Sequence, residues 1–123
     1  MKTILIALAL LAGAPAARAM SDDRALDETV ALTGRFVATI DQARDCDVMG
    51  DRLDALVKDS AALLEELDAA TARRSEAEEK TFIDRYLERA APAIRKLGTP
   101  KNRKKLRTCM GNPKVRRAIT TIP

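Results

Sequence analysis

The chain has 123 residues, a formal net charge of +4 and no histidine. Without histidine, a Ser-His or Cys-His catalytic arrangement and haem ligation by histidine are excluded. Ala, Leu and charged residues dominate, Trp is absent and there are only two Phe and one Tyr, a composition that favours helices.

The first segment has the features of a secretory signal peptide. Lys2 precedes an apolar run over residues 4–14, and the small-residue pattern Ala-Arg-Ala follows at residues 17–19. The run is shorter than the about 20 residues that span a bilayer, and no second apolar stretch follows. We expect residues 1–19 to be cleaved, which leaves residues 20–123 as one exported domain without a transmembrane segment, in the periplasm or outside the cell. An uncleaved anchor is the alternative.

Two amphipathic patterns come next. In residues 23–43, apolar side chains recur at steps of four and three, which predicts a first helix. Its stripe consists of Leu26, Val30, Thr33, Val37 and Ile40, widened by Leu32 and Phe36. A longer pattern predicts a second helix of about seven turns with one buried face. Its positions are Cys46, Met49, Leu53, Leu56, Ser60, Leu63, Leu67 and Ala70.

The start of the second helix also resembles a calcium-binding loop. Asp45, Asp47 and Gly50 stand at positions 1, 3 and 6 of an EF-hand loop, but Met49 and Leu56 occupy positions 5 and 12, which must supply oxygen ligands. We therefore expect no metal here and interpret the aspartates as caps of the second helix.

A third helix is predicted from Ser75, which forms a capping box with Glu78, to Gly98, which is placed to end it. Pro92 lies inside this pattern and is expected to kink the helix or split it near Ala90. The predicted apolar face consists of Phe82, Ile83, Tyr86, Leu87, Ala90, Ile94 and Leu97.

Two short helices are predicted to close the chain. Thr99-Pro100 and Asn112-Pro113 each look like an N-cap followed by proline at the first helical position. The first is expected to bury Leu106, Cys109 and Met110, and the second Val115, Ala118 and Ile119. The expected fold is an all-α, small antiparallel bundle of three long helices and a short C-terminal pair.

Cys46 and Cys109 are the only cysteines. An even pair in an exported chain indicates one disulfide, whereas a catalytic redox pair would normally be Cys-x-x-Cys. Closing so long a loop stabilises the fold by on the order of 4 kcal/mol in the chain-entropy description. The sequence therefore predicts a structural bridge between the last part of the chain and the start of the second helix.

Several positions around the cysteines form a recognisable pattern. Cys46 with Met49 and Leu53, followed by Cys109-x-x-Asn-Pro-x-Val-x-x-Ala over residues 109–118, is similar to small exported two-cysteine helical proteins of bacteria. The resemblance covers most of residues 20–123 and implies the disulfide and the helical fold, without a function.

Charge is divided unevenly along the chain. Residues 20–79 carry 7 basic and 16 acidic side chains, whereas residues 80–123 carry 13 basic and 2 acidic ones. From Arg95 onward there are ten basic residues and no acidic one. This segment predicts a basic surface that binds anions. Its candidate residues are Lys101, Arg103, Lys104, Lys105, Arg107, Lys114, Arg116 and Arg117.

Three functions fit such a surface. It pairs with the acidic helices of the same molecule or of an oppositely oriented copy; it contacts an anionic envelope component or an acidic exported protein; or it binds nucleic acid. Export and the lack of aromatic residues for base stacking disfavour the third. Catalysis by carboxylates is also disfavoured, because Glu65-Glu66 and Glu78-Glu79 are helix neighbours that point about 100° apart. We expect a non-enzymatic binding protein without cofactor or metal.

Overall fold

The computed structural model describes residues 20–121, and these residues form six α-helices and no strand. The helices are α1 (Asp22–Gln42), α2 (Cys46–Asp59), α3 (Ala61–Arg73), α4 (Glu76–Leu97), α5 (Pro100–Cys109) and α6 (Pro113–Thr121). The predicted all-α class is confirmed. None of these helices is long and apolar enough to cross a bilayer. The predicted signal peptide lies outside the described residues.

Helix starts follow local sequence signals. At α2, the Asp45 carboxylate accepts a hydrogen bond of 2.8 Å from the amide of Val48. At α4, the Ser75 hydroxyl accepts from the amide of Glu78 at 3.1 Å, while the Glu78 carboxylate accepts from the amide of Ser75 at 2.8 Å. Each cap contributes roughly 1 kcal/mol, because it satisfies amides that the helix leaves without partners. The predicted capping box is confirmed.

The predicted length of the second helix is wrong, because the helix is interrupted at Ser60 and two helices form instead. This residue has φ −97° and ψ 5° and separates α2 from α3. Its amide donates to the carbonyl of Leu56 at 3.0 Å, and its carbonyl accepts from the amide of Leu64 at 2.8 Å. Because only one residue forms the turn, the apolar residues of α2 and α3 keep nearly the same helical spacing. The sequence pattern therefore gives no sign of the interruption.

The predicted split of α4 is also wrong, since the helix continues from Glu76 to Leu97 through Pro92. Pro92 and Glu88 are both exposed. The Glu88 carbonyl, which loses its helical partner at the proline, therefore lies where water can bind it.

Helix α1 is the centre of the molecule, because it packs against α2, α3, α4 and α5, while α6 packs against α2. The side chains buried most completely include Leu26, Ile40, Met49, Leu53 and Val115. Full burial of one such side chain contributes about 1.5–3 kcal/mol. The core thus draws on α1, α2, α3 and α6, and the disulfide predicted between Cys46 and Cys109 is confirmed beside it.

Two predictions of burial are wrong. Ile83, Leu87 and Ile94 on α4 are 40–50% exposed, and Met110 after α5 is 37% exposed. Of the predicted apolar face of α4, only Ala90 is fully buried. That face is wider than the surface with which α1 covers it.

Candidate functional site

Helix α5 carries five of the eight predicted anion-binding residues and is fixed at both ends. At its start, the Thr99 hydroxyl accepts from the amide of Asn102 at 3.4 Å, and Pro100 occupies the first turn. At its end, Cys109 is bonded to Cys46, with 5.0 Å between their Cα atoms. The helix orientation is therefore set by a cap and a covalent bond.

The inner side of α5 is joined to the C-terminal ends of α1 and α4. Asn102 is buried, and its Nδ2 donates to the Lys96 carbonyl at 2.8 Å and to the Asp41 carboxylate at 3.1 Å. Lys105 donates through Nζ to the carbonyls of Ile40 at 3.1 Å and Asp41 at 2.6 Å. A cation at the end of α1 satisfies carbonyls that the helix leaves free and complements its dipole. Lys105 therefore acts within the fold, although the sequence placed it with the exposed cations.

The outer side of α5 presents four exposed cations. We call this set the α5 face, and it consists of Lys101, Arg103, Lys104 and Arg107. Successive helix positions are about 100° apart, so these four positions span the half of the helix opposite Asn102 and Cys109. Within residues 20–121, none of the four has a carboxylate oxygen within 4.0 Å. Their charge is available to an external anion.

Two of the three candidate cations of α6, Lys114 and Arg117, lie near acidic residues of α2 instead. Lys114 Nζ is 2.7 Å from a carboxylate oxygen of Asp51, and this hydrogen bond raises the pKa of Lys114. Arg117 is among the cations that lower the pKa of Asp54, whose main cause is a hydrogen bond from Lys58. Arg116 is exposed. The α6 cations are therefore partly neutralised within the molecule.

Three of the five cations of α4 are paired with carboxylates of α1. Arg85 is 3.1 Å from Asp23, and Arg89 is 2.6 Å from Asp27.

Near the C-terminal end of α1, Lys96 is 3.5 Å from Asp41. The hydrogen bond from Asn102 lowers the pKa of Asp41, and Lys96 and Lys101 lower it further. The acidic and basic parts of the sequence thus meet along the contact between α1 and α4.

A cleft of about 470 Å³ lies between α5 and the start of α2. Its lining includes the disulfide, the buried Met49, one acidic residue, Asp45, and four cations, Arg44, Lys101, Lys104 and Lys105. Arg44 lies in the acidic half of the sequence and was not predicted as a site residue. The position of Arg44 could have been inferred from the sequence, because a bridge from Cys46 to Cys109 brings the residues just before Cys46 next to α5.

The residues once compared with an EF-hand have other roles. Asp45 caps α2, and Gly50 packs against Asn112 in the turn between α5 and α6. A Cβ on Gly50 would lie 2.7 Å from Asn112 Oδ1, so the glycine is required for this close approach. Within the described residues there is no group of three or more Cys, Asp or Glu side chains placed to hold a metal ion.

Comparison of the chain with protein-family models, curated proteins and solved structures gives no match.

Proposed function

We propose that the protein is an exported, non-enzymatic binding protein whose α5 face contacts an anionic component of the cell envelope. The observation that supports this most is the set of four exposed cations on one side of α5 without a carboxylate partner. Clustered like charges repel each other, and an anionic surface offsets this repulsion.

The chemistry of the α5 face suits phosphate groups. Arg103 and Arg107 present planar guanidinium groups that bind phosphate through two parallel hydrogen bonds, while Lys101 and Lys104 act as point charges. Arg44 adds a fifth cation at the cleft. Anionic phospholipid head groups are therefore the partner to test first, and an acidic exported protein is the second.

Export is part of the proposal. It rests on the signal-peptide pattern of residues 1–19 and on the disulfide, which persists in oxidising compartments. The intact mass of the protein recovered from the periplasm or the medium tests it. A chain that begins at Met20 supports export, whereas a cell-associated chain that retains residues 1–19 contradicts it.

A second candidate function is a purely structural bundle in which the basic segment serves only to neutralise the acidic helices. The ion pairs of Arg85, Arg89 and Lys96 with α1, and of Lys114 with α2, favour it. It does not account for the α5 face, whose cations have no such partners among residues 20–121.

Sedimentation with lipid vesicles separates the two functions. We expect the protein to bind vesicles that contain phosphatidylglycerol, and not vesicles of phosphatidylcholine alone, with an affinity that falls as salt increases. In the α5 variant, the α5 face is changed to glutamine (Lys101→Gln, Arg103→Gln, Lys104→Gln, Arg107→Gln). Each removed cation should weaken binding about fivefold at low salt.

The matched control removes the same number of charges from α4. This α4 variant carries Lys80→Gln, Arg85→Gln, Arg89→Gln and Lys96→Gln, and should bind vesicles nearly as well as the wild type. Equal losses in both variants would mean that net charge alone drives binding. If the wild type binds no vesicles, capture from an envelope extract with wild type and α5 variant tests the acidic protein, and no difference between them refutes the proposal.

A further inference from the structure

The cleft of about 470 Å³ between α5 and the start of α2 has a lining that is apolar where it is buried. Ala43, Met49 and Cys109 are each at most 4% exposed, and Cys109 is bonded to the half-buried Cys46. These side chains present hydrocarbon and sulfur surface without a hydrogen-bond donor. The volume of the cleft lies within the range of about 300–1,000 Å³ in which proteins bind small molecules.

The exposed part of the same lining is cationic. Lys101, Lys104, Lys105 and Thr108 recur on α5 at spacings of three and four residues, so one side of this helix faces the cleft. Arg44 lines the cleft from the chain that precedes α2. Arg44, Lys101 and Lys104 are exposed, and within residues 20–121 none of them has a carboxylate oxygen within 4.0 Å.

Two acidic residues lie near these cations and offset only part of their charge. Asp45 lines the cleft, and one of its carboxylate oxygens caps α2. Asp41 attracts Lys101, but its ion pair is with Lys96, at 3.5 Å. Lys105 adds a positive charge whose ammonium group hydrogen-bonds backbone carbonyls. The lining therefore carries four cations and one carboxylate, which leaves an excess of positive charge.

An apolar cavity beside unpaired cations fits an anion that carries an apolar chain. We infer that the cleft binds a single-chain amphiphile with a phosphate head group. The hydrocarbon chain contacts Met49 and the disulfide, and the phosphate lies near Arg44 and Lys104, whose charged ends remain in water while their stems follow apolar surface. The inference rests on the proposed function, because it names the class of anionic lipid that this side of α5 holds.

Three other occupants fit the cleft less well. Free phosphate leaves the apolar part of the lining in contact with water, and a neutral hydrocarbon chain leaves the three exposed cations without a partner. An acidic peptide brings backbone groups that need hydrogen-bond partners, which Ala43, Met49 and the disulfide do not supply.

Isothermal titration calorimetry tests the site with dodecyl phosphate, used below the concentration at which it forms micelles. The wild type should bind it, and the affinity should fall as salt increases. Glycerol phosphate lacks the chain and dodecyl maltoside lacks the charge, so each should bind at least about tenfold more weakly. Equal affinity for either of these two compounds would overturn the inference.

A bulky side chain in the cleft tests whether the hydrocarbon chain enters it. Thr108→Trp should weaken the binding of dodecyl phosphate by about tenfold or more, because the indole ring occupies the space of the chain. The matched control is Met110→Trp, which adds the same ring at an exposed residue outside the lining and should bind as the wild type does.

Nuclear magnetic resonance locates the chain in the unmodified protein. With isotopic labels at the methionine methyl groups, dodecyl phosphate should shift the signal of Met49 and leave those of Met20 and Met110 in place, because only Met49 lines the cleft. An unchanged Met49 signal at saturation would overturn the inference.

A pair of charge variants tests the cations. Arg44→Gln/Lys104→Gln should weaken the binding of dodecyl phosphate by about fivefold for each removed charge. The matched control is Lys80→Gln/Arg95→Gln, which removes two exposed cations of α4 that have no ion pair among residues 20–121. Equal losses in the two variants would assign the binding to net charge and overturn the inference.

Vesicle sedimentation separates failure of the cleft from failure of the proposed function. Thr108→Trp retains the whole α5 face, so it should still bind vesicles that contain phosphatidylglycerol. A wild type that binds these vesicles and not dodecyl phosphate refutes the cleft alone. A wild type that binds dodecyl phosphate but neither the vesicles nor an envelope protein supports the cleft and refutes the proposed contact of the α5 face.

Discussion

Helices α4 and α5 carry five basic residues each, but their cations have different surroundings. On α4, Arg85, Arg89 and Lys96 lie 2.6–3.5 Å from carboxylates of α1. On α5, the four cations of the α5 face have no carboxylate within this range among residues 20–121. The cause is the packing: α4 lies along α1, whereas the hydrogen bonds from α5 to α1 reach only residues 40 and 41.

The difference shows that the net charge of a segment does not determine how much of its charge is available to a partner. Two helices with five basic residues each contribute differently, because three cations of α4 face acidic side chains of α1 and four cations of α5 face solvent. The α4 cations stabilise the fold modestly, as exposed ion pairs do. The α5 cations are held in place by other contacts, chiefly the disulfide, Asn102 and Lys105.

Removal of the disulfide, which fixes α5, should lower the stability of the protein more than any other change proposed here. In the double variant Cys46→Ser/Cys109→Ser, the free energy of unfolding should fall by about 2–5 kcal/mol, because the unfolded chain is no longer constrained. Urea unfolding monitored by circular dichroism measures it, with reduced wild type as the control. Equal stability of variant and oxidised wild type would mean that α5 does not depend on the bridge.

A methyl group at Gly50 tests the turn that follows α5. Gly50→Ala places Cβ 2.7 Å from Asn112 Oδ1, which caps α6 by accepting from the amides of Lys114 at 2.9 Å and Val115 at 3.3 Å. We expect a loss of about 1–3 kcal/mol from this overpacking, measured by urea unfolding.

The control is Gly34→Ala, which meets nothing within 4 Å on α1 and should stabilise by up to about 1 kcal/mol through helix propensity. If both variants are more stable than the wild type, Gly50 and Asn112 do not pack as closely as described.

Acid should weaken the junction between α1 and α5. The hydrogen bond from Asn102 lowers the pKa of Asp41 in the folded state, so Asp41 contributes stability that is present above its unfolded pKa and lost as the pH falls through its folded pKa. Thermal unfolding of wild type and Asp41→Asn should therefore differ at neutral pH, and the two should approach each other only as the pH falls below the ordinary aspartate pKa of about 3.9. A difference that does not change with pH would assign the effect of Asp41 to packing instead of charge.

Local signals in the sequence were sufficient for much of the fold. The capping box of Ser75 and Glu78 needs only neighbouring residues, and the pairing of Cys46 with Cys109 was predicted from there being two cysteines and a signal-peptide pattern. The apolar periodicity also identified most of the core. Apolar periodicity failed to predict the turn at Ser60, because a one-residue turn interrupts the helix without changing the spacing of the apolar residues.

The candidate site was predicted less completely, because its residues depend on contacts distant in sequence. Lys105 resembles Lys104 in sequence, yet only Lys105 reaches the carbonyls at the end of α1. Arg44 joins the site only through the disulfide beside it. The exposed Ile83 and Leu87 could not be distinguished from core residues, because the sequence does not show how much of α4 is covered by α1.

The central claim is that Arg85, Arg89 and Lys96 of α4 act within the molecule, whereas the four cations of the α5 face form no ion pair among residues 20–121. The most direct test is the melting temperature of the α4 and α5 variants at low and high salt. The account predicts that the α4 variant melts below the wild type at low salt and approaches it at high salt, because ion pairs are screened. The α5 variant should melt close to or above the wild type, since it loses mainly repulsion between like charges, together with the attraction between Lys101 and Asp41. An α5 variant destabilised as much as the α4 variant would contradict the account.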